Sequence, residues 1–444
     1  MSPSNNSDQS SQFSFDFTQT LFLFSWLSNA SAETKGTSDQ LAKFTRDGLL
    51  GNGTPLGGVT PPNGLLTNPN FSLAGKWSLA WGPGVFEFYP NNKKADNTAF
   101  AVFDSSTNTY VIAIAGTDPS AMSDWFYEDL NVNSINMVDW DSFDATSSII
   151  KTTPANSSNR QITYGTAVGV QALMNGLFYS DQGDGVGQSQ SLASFLLSLK
   201  KKGAANVIFT GHSLGGALAP TCALWYHNYL CTDTSKGTNP TVYHLSVAGP
   251  TPGNCAFRDQ LDTRLPLSTP SNLLGTLDKD NKVKSLNQNV YCFEDLVPHA
   301  WQYIYSDQTT DQVPYADVLG PFFTKSKDDK GGTILETNMG VLSNADVLAA
   351  SLNLVQGTGK SADLKQSIDP NFFQVQFPFS SLTMSNGNVV EVTQNGPSTD
   401  PYNALNKDAV ISFLGNIGIV HIWSYGQQAF NINIDAFKEI GLCL

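Results

Sequence analysis

Val207-Ile208-Phe209-Thr210-Gly211-His212-Ser213-Leu214-Gly215-Gly216 is the stretch from which this chain can be read. A short apolar run ends in Gly-x-Ser-x-Gly, and the small residues Gly216, Ala217 and Ala219 follow. That order predicts a buried strand, a sharp turn and a helix. Ser213 falls at the apex of the turn, with its hydroxyl exposed. Gly211 and Gly215 flank it because a Cβ at either position would collide with neighbouring backbone. Leu214 comes next, and its N–H is aimed at any negative oxygen formed beside the serine. A plain glycine-rich turn accounts for the flanking residues but not for a serine at the apex.

The chain has 444 residues, 40% of them hydrophobic and 14% charged, which is a globular composition. Its formal net charge of −14 offers no basic face for phosphates, so nucleic acid is excluded as a partner. Attraction to anionic membrane is excluded on the same ground, whereas a neutral ester or lipid is not repelled. Five cysteines, Cys222, Cys231, Cys255, Cys292 and Cys443, fit no zinc spacing and read mostly as buried thiols. The run Leu21–Leu27 is too short to span a bilayer, so no transmembrane anchor is expected. No Lys or Arg precedes it, so it reads as the first helix of the fold, not as a signal peptide. This favours an intracellular protein over a secreted one.

Residues 1–15 are polar and expected to be mobile. A helix is expected over Asp16–Asn29, then an irregular Gly/Pro/Asn-rich excursion over 47–75. Strands follow at Val85–Tyr89, Ala99–Asp104 and Tyr110–Ala115. Gly116-Thr117 ends the last of these, where α/β sheets bind ligands, and Thr117 can offer a backbone N–H and a hydroxyl to an oxyanion. Met122, Trp125, Phe126 and Leu130 then line one face of a helix, either a core helix or a lid over the serine. Helices are expected at Thr166–Leu177 and Leu192–Lys202, and strands at Val242–Ala248 and Val290–Phe293. Alternating strands and helices predict an α/β fold with a mainly parallel central sheet covered by helices. From about 300 to 405 that rhythm fails apart from a helix at Asn344–Val355, and the stretch reads as an insertion.

A serine needs a base, and histidine is the usual one near neutral pH. The chain has five. His212 leaves the turn in a different direction from Ser213 and reads as a packing or hydrogen-bonding residue. His227 is about 21 Å along the following helix at 1.5 Å per residue. His244 lies inside a strand. His299 and His421 remain, and His421, the last in the chain, is favoured because hydrolase triads on α/β sheets run Ser, acid, His. Asp295, at the carboxyl end of the strand Val290–Phe293, is the candidate orienting carboxylate.

Together these residues resemble the fungal-type class 3 lipase family of α/β-hydrolases. Gly211–Ala219 resembles its nucleophile motif, and Ala248-Gly-Pro-Thr-Pro-Gly-Asn254 the loop after its next strand. Asp295-Leu-Val-Pro-His299 resembles the segment whose Asp is catalytic and whose following His is not. Ala115-Gly116-Thr117 is similar to its oxyanion segment, with Ala115 where the family usually has Arg. Trp125 falls where the family's lid helix begins, and His421 with Tyr425 resembles its late histidine region. Even Leu27-Ser28-Asn29-Ala30 resembles its first helix. The Ser213–Asp295 interval (295 − 213 = 82) and the Asp295–His421 interval (421 − 295 = 126) exceed those of compact members. The resemblance implies one catalytic domain over 16–444, a Ser213/Asp295/His421 triad, oxyanion donors at Thr117 and Leu214, and no cofactor or metal. It implies a neutral lipid of the triacylglycerol class as substrate, met at a lipid–water interface. An esterase for soluble or feruloyl esters and an inactive lipid-binding relative are the alternatives.

Overall fold

The computed structural model describes residues 13–116 apart from 33, 52 and 88–92, then 137–176 apart from 155 and 157, and 190–292 apart from 251, 276 and 278. Beyond these it describes five short strands between 323 and 391, His421, and 425–441.

The chain opens with β1 (Phe13–Phe15), α1 (Phe17–Leu27), α2 (Ser38–Leu50) and β2 (Phe71–Leu73). Residues 13–15, read from sequence as part of a mobile start, pair in parallel with β2. Asp16 caps α1 through a reciprocal box with Gln19, which fixes where the helix begins. All eleven residues of α1 are buried, so the apolar run Leu21–Leu27 is a core helix. Its polar side chains are satisfied: Gln19 Nε2 donates to the Phe430 carbonyl at 2.7 Å, and Thr18 Oγ1 to that of Val283 at 3.1 Å.

Next come β3 (Trp77–Phe86), β4 (Asn97–Asp104) and β5 (Thr109–Ile114). A small three-stranded sheet follows, with β6 (Met137–Asp139) flanked by β7 (Thr152–Thr153) and β8 (Gln161–Thr163). Then come α3 (Tyr164–Gln171), α4 (Leu192–Leu199), β9 (Asn206–His212) and α5 (Leu214–Thr232). The set continues with β10 (Thr241–Val247), α6 (Cys255–Arg264), α7 (Ser271–Leu274) and β11 (Gln288–Cys292). Hairpin β12–β13 (Phe323–Lys327, Thr333–Thr337), β14 (Phe372–Val375), hairpin β15–β16 (Ser381–Thr383, Val389–Glu391) and α8 (Ile434–Ile440) complete it.

The main sheet has seven strands in the order β14-β11-β10-β9-β5-β4-β3. The first five run parallel, and β4 and β3 are antiparallel additions at one edge. This is the α/β architecture with a mainly parallel, helix-covered sheet that the strand–helix rhythm predicted, with β9 at its centre. The short strands outside the main sheet were not foreseen, and neither was one strand within it. Phe372–Val375, inside the stretch read as an insertion, pairs with β11 and so belongs to the main sheet. Four residues carry too little periodicity to separate a strand from an aromatic loop. The expected helix Asn344–Val355 lies outside the described residues.

Both sheet faces are covered, which is why the central strands read as continuous apolar runs and not as alternating ones. In β5, Val111 and Ala113 join the core under α1 and α8, while Ile112 and Ile114 join the core under α3, α4 and α5. In β9, Ile208 faces the first core, and Val207 and Phe209 face the second. Phe22 of α1 stacks on Phe430 with centroids 4.5 Å apart, tying the chain's beginning to its end.

Candidate active site

Seven helix starts set the context for Ser213. Asp16, Thr37, Thr163, Ser191, Asn254 and Asn433 cap their helices from extended backbone, each accepting a main-chain hydrogen bond on its side chain. Ser213 precedes the 19-residue helix α5 and does neither. Its φ is +59° and ψ −126°, a region L-residues avoid, and its side chain makes no cap hydrogen bond. A backbone strained by roughly 1–3 kcal/mol persists only where its surroundings over-determine it. Here the Ser213 N–H donates to the Val247 carbonyl at 3.0 Å, and the Ser213 carbonyl accepts from Gly216 N–H at 2.8 Å. The hydroxyl is thereby spared from capping duty.

The glycines make the turn sterically possible. A Cβ on Gly211 would run into the Gly215 carbonyl, and one on Gly215 into the Ile114 carbonyl of β5. A Cβ on Gly216 would meet the Val247 carbonyl and stand 2.7 Å from Gly249 Cα. The helix therefore starts in direct backbone contact with strands on both sides. Leu214, 3% exposed, opens that helix, where N–H groups lack intrahelical acceptors and the helix dipole favours negative charge.

Register brings the neighbouring strand ends to the same height. Ile114 pairs with Gly211, Val247 with His212, and Val290 with Val247. Two residues past the first pair and one past the second, the same registers bring Gly116 and Ala248 to the level of Ser213. Ala248 also has positive φ, +54°, and donates its N–H to the Val290 carbonyl at 2.8 Å. A Cβ on Gly116 would stand 2.8 Å from Ser213 Cβ and 2.7 Å from the His212 carbonyl. The end of β5 thus touches the serine. Thr117, the next residue, lies outside the described residues, as do Met122, Trp125, Phe126, Leu130, Asp295 and His299. The strand expected to carry Asp295 is present as β11, ending three residues earlier at Cys292 (295 − 292 = 3).

His421 is brought to this site from 208 residues away (421 − 213 = 208). It is 2% exposed, and its ring centroid lies 4.7 Å from that of His212, the residue before the serine. His212 Nε2 is 2.8 Å from the His421 carbonyl. A carbonyl only accepts, so His212 carries its proton on Nε2. Burial, and then any positive charge on His421, push the His212 pKa well below the usual histidine range, against a smaller opposing pull from that hydrogen bond. Of the two facing imidazoles, His212 stays neutral. Trp26 of α1 meets His212 edge-on at 5.1 Å, and Tyr425 does so at 6.0 Å. The packing and hydrogen-bonding role read for His212 holds, and its partner is the main chain of the favoured base.

The remaining histidines stand apart. His227 is half-buried on α5, with its Nδ1 3.9 Å from the exposed Cys231 thiol. Cys231 is therefore not one of the buried thiols expected, whereas Cys222 is. His244 is buried in β10 with Nδ1 3.1 Å from Ser246 Oγ, and burial lowers its pKa to about 3. The unfolded chain binds a proton at His244 below about pH 6.5 that the folded chain refuses. Stability should therefore fall on acidification, by about 1.4 kcal/mol per pH unit from this residue, until the folded value is reached. Urea midpoints from pH 7 to pH 4 should drop less steeply in His244→Gln than in the wild type. Parallel slopes would show that His244 is protonated in the fold.

One residue at this site was legible in sequence only as part of the first helix, through the Leu27–Ala30 resemblance, and not by any role. Asn29, just past α1, accepts a hydrogen bond on Oδ1 from Gly116 N–H at 2.7 Å. Its Nδ2 donates to the Ser25 carbonyl at 2.9 Å. Among the described residues, no three His, Cys, Asp or Glu side chains gather as metal ligands, and no helix is long and apolar enough to cross a membrane.

Residues 144–303, which include the elbow, β10 and β11, match the family described as lipase (class 3). No curated protein matches the chain. Among solved structures, M37 lipase is similar at 22% identity and a TM-score of 0.43, over 66% of this chain and 74% of that one. The nonglycosylated LIP2 lipase of Yarrowia lipolytica is similar at 16% identity and 0.35, over 64% and 74%. The Rhizomucor miehei lipase propeptide complex is similar at 20% identity and 0.28, over 46% of this chain and about half (47%) of that one.

Proposed function

Because residues 144–303 match the class 3 lipase family, we propose that this protein hydrolyses carboxyl esters of neutral lipids, of the triacylglycerol class, through an acyl-enzyme on Ser213. The observation that carries the reading is the Ser213 elbow. A serine held at φ +59°, its hydroxyl unspent on capping, stands at the mouth of the central strand with a buried histidine against its neighbour. A strained serine whose side chain makes no cap hydrogen bond, next in sequence to a histidine packed on a second buried imidazole, supports nucleophilic catalysis.

In this reading Ser213 Oγ attacks the ester carbonyl while His421 takes its proton. The tetrahedral oxyanion is met by the N–H groups of Leu214 and Thr117, the former at a helix N-terminus. His421 then returns the proton to the departing alcohol. Water repeats the cycle on the acyl-enzyme and frees the acid. Asp295 accepts a hydrogen bond from the imidazole, fixing its tautomer and stabilising the imidazolium. The segment bearing Met122, Trp125, Phe126 and Leu130 acts as a lid whose apolar face covers the serine in water and meets lipid at an interface.

The substrate class and the lid are tested together. Activity on a short-chain triglyceride, carried through its solubility limit, should jump above that limit, and Trp125→Ala or Phe126→Ala should blunt the jump. Smooth saturation through the limit, with higher turnover on soluble p-nitrophenyl esters, would assign the site to soluble esters instead.

A further inference from the structure

Asn29 reaches from the end of α1 to the strand end beside the serine. Its two amide ends do different work. Nδ2 donates to the Ser25 carbonyl at 2.9 Å and lies 3.4 Å from that of Trp26, so the amide is locked to the last turn of α1. Oδ1 is thereby aimed outward and accepts the Gly116 N–H at 2.7 Å, across 87 residues of chain. Helix α1 is itself packed on all sides, with every residue buried and with Phe24 and Trp26 edge-on against Phe100 and His212. An acceptor locked to a buried helix therefore holds the Ala115–Gly116 peptide.

That peptide is held from both sides of the strand end. The Ala115 N–H is spent on the Thr98 carbonyl at 2.8 Å and the Gly116 N–H on Asn29. These two bonds commit the main-chain donors of both described residues directly past β5. Gly116 cannot carry a side chain without meeting Ser213 Cβ and the His212 carbonyl, so the strand end also has no room to tilt toward the serine.

We propose that Asn29 is a positioning residue for the oxyanion site: by pinning the Gly116 N–H it fixes the strand end beside Ser213 from which the loop after β5 departs. This rests on the reading above that the loop after β5 stabilises the oxyanion. Asn29 does not touch substrate, so its loss acts through geometry. A misplacement of about 1 Å at a reacting centre costs up to roughly 10²-fold in rate.

The test uses a soluble p-nitrophenyl ester and an aryl trifluoromethyl ketone. The ketone forms a hemiketal: Ser213 Oγ bonds to the carbonyl carbon, its proton passes to His421, and the carbonyl oxygen becomes the anion. Asn29→Leu, near-isosteric but without an acceptor, should lower kcat by about 10- to 100-fold with KM unchanged. Ketone inhibition should weaken by a similar factor. Asn29→Ala serves if the Leu variant does not fold. Residue-resolved hydrogen exchange on the wild-type protein needs no variant, and the Gly116 amide should be among the slowly exchanging ones. Unchanged kcat and ketone affinity in a folded variant, a loss confined to KM or to thermal stability, or fast exchange at Gly116 would each overturn the inference. Failure of the underlying reading looks different: the ketone would not inhibit the wild type, or Ser213→Ala would keep its turnover.

Discussion

Ser213→Ala should lose essentially all ester turnover, a fall of about 10⁶-fold in kcat, while folding as well as the wild type. The chemical half follows from role: without Oγ no acyl-enzyme forms, and only binding and the oxyanion donors remain. The structural half follows from the elbow. The serine side chain makes no cap hydrogen bond to lose, and alanine meets the same steric cost at φ +59°. Stability should therefore change by no more than about 0.5 kcal/mol. Ser213→Gly sharpens the point. Glycine accepts that φ freely, so this equally inactive variant should be more stable by about 1 kcal/mol, unless the entropy of the unfolded chain offsets part of the gain. The measurements are fluorophosphonate labelling, turnover of a p-nitrophenyl ester and thermal melting on the same preparations. Labelling that persists in folded Ser213→Ala would move the nucleophile elsewhere.

His421→Ala should cost roughly 10⁴- to 10⁶-fold in kcat, and His299→Ala should cost little. The argument for His421 is its place: a 2% exposed imidazole whose ring faces His212 at 4.7 Å and whose carbonyl is held by His212 Nε2. The hydrogen bond from His212 engages the main chain of His421, not its imidazole. His212, the nearer histidine by sequence, cannot substitute, since its Nε2 proton is committed and burial keeps the ring neutral. Fluorophosphonate labelling should slow in parallel with turnover in His421→Ala, because both need the serine proton removed. Full activity in a folded His421→Ala variant, with loss in His299→Ala, would reassign the base.

The sequence determined more of the centre than of the periphery. Gly211, Gly215 and Gly216 specify the elbow locally, because each is required by backbone a few residues or one strand away. The apolar runs Tyr110–Ala115 and Val207–Phe209 specify buried strands because both faces of the sheet are covered. For the same reason Leu21–Leu27 was legible as a core helix. The reading stopped short where contact, not pattern, decides. That β14 would join the main sheet depends on pairing with β11, which four residues do not encode. That Cys231 is exposed and Cys222 buried depends on which side of α5 faces the sheet. That His212 would hold the carbonyl of His421, and Asn29 the N–H of Gly116, depends on chain segments 209 and 87 residues apart arriving at one strand end. Propensity and periodicity act over a few residues, whereas a hydrogen bond between distant segments exists only once the sheet has set their register. The elbow that presents Ser213 was therefore written in one decapeptide, and the residues that hold the ground around it were decided by the tertiary fold.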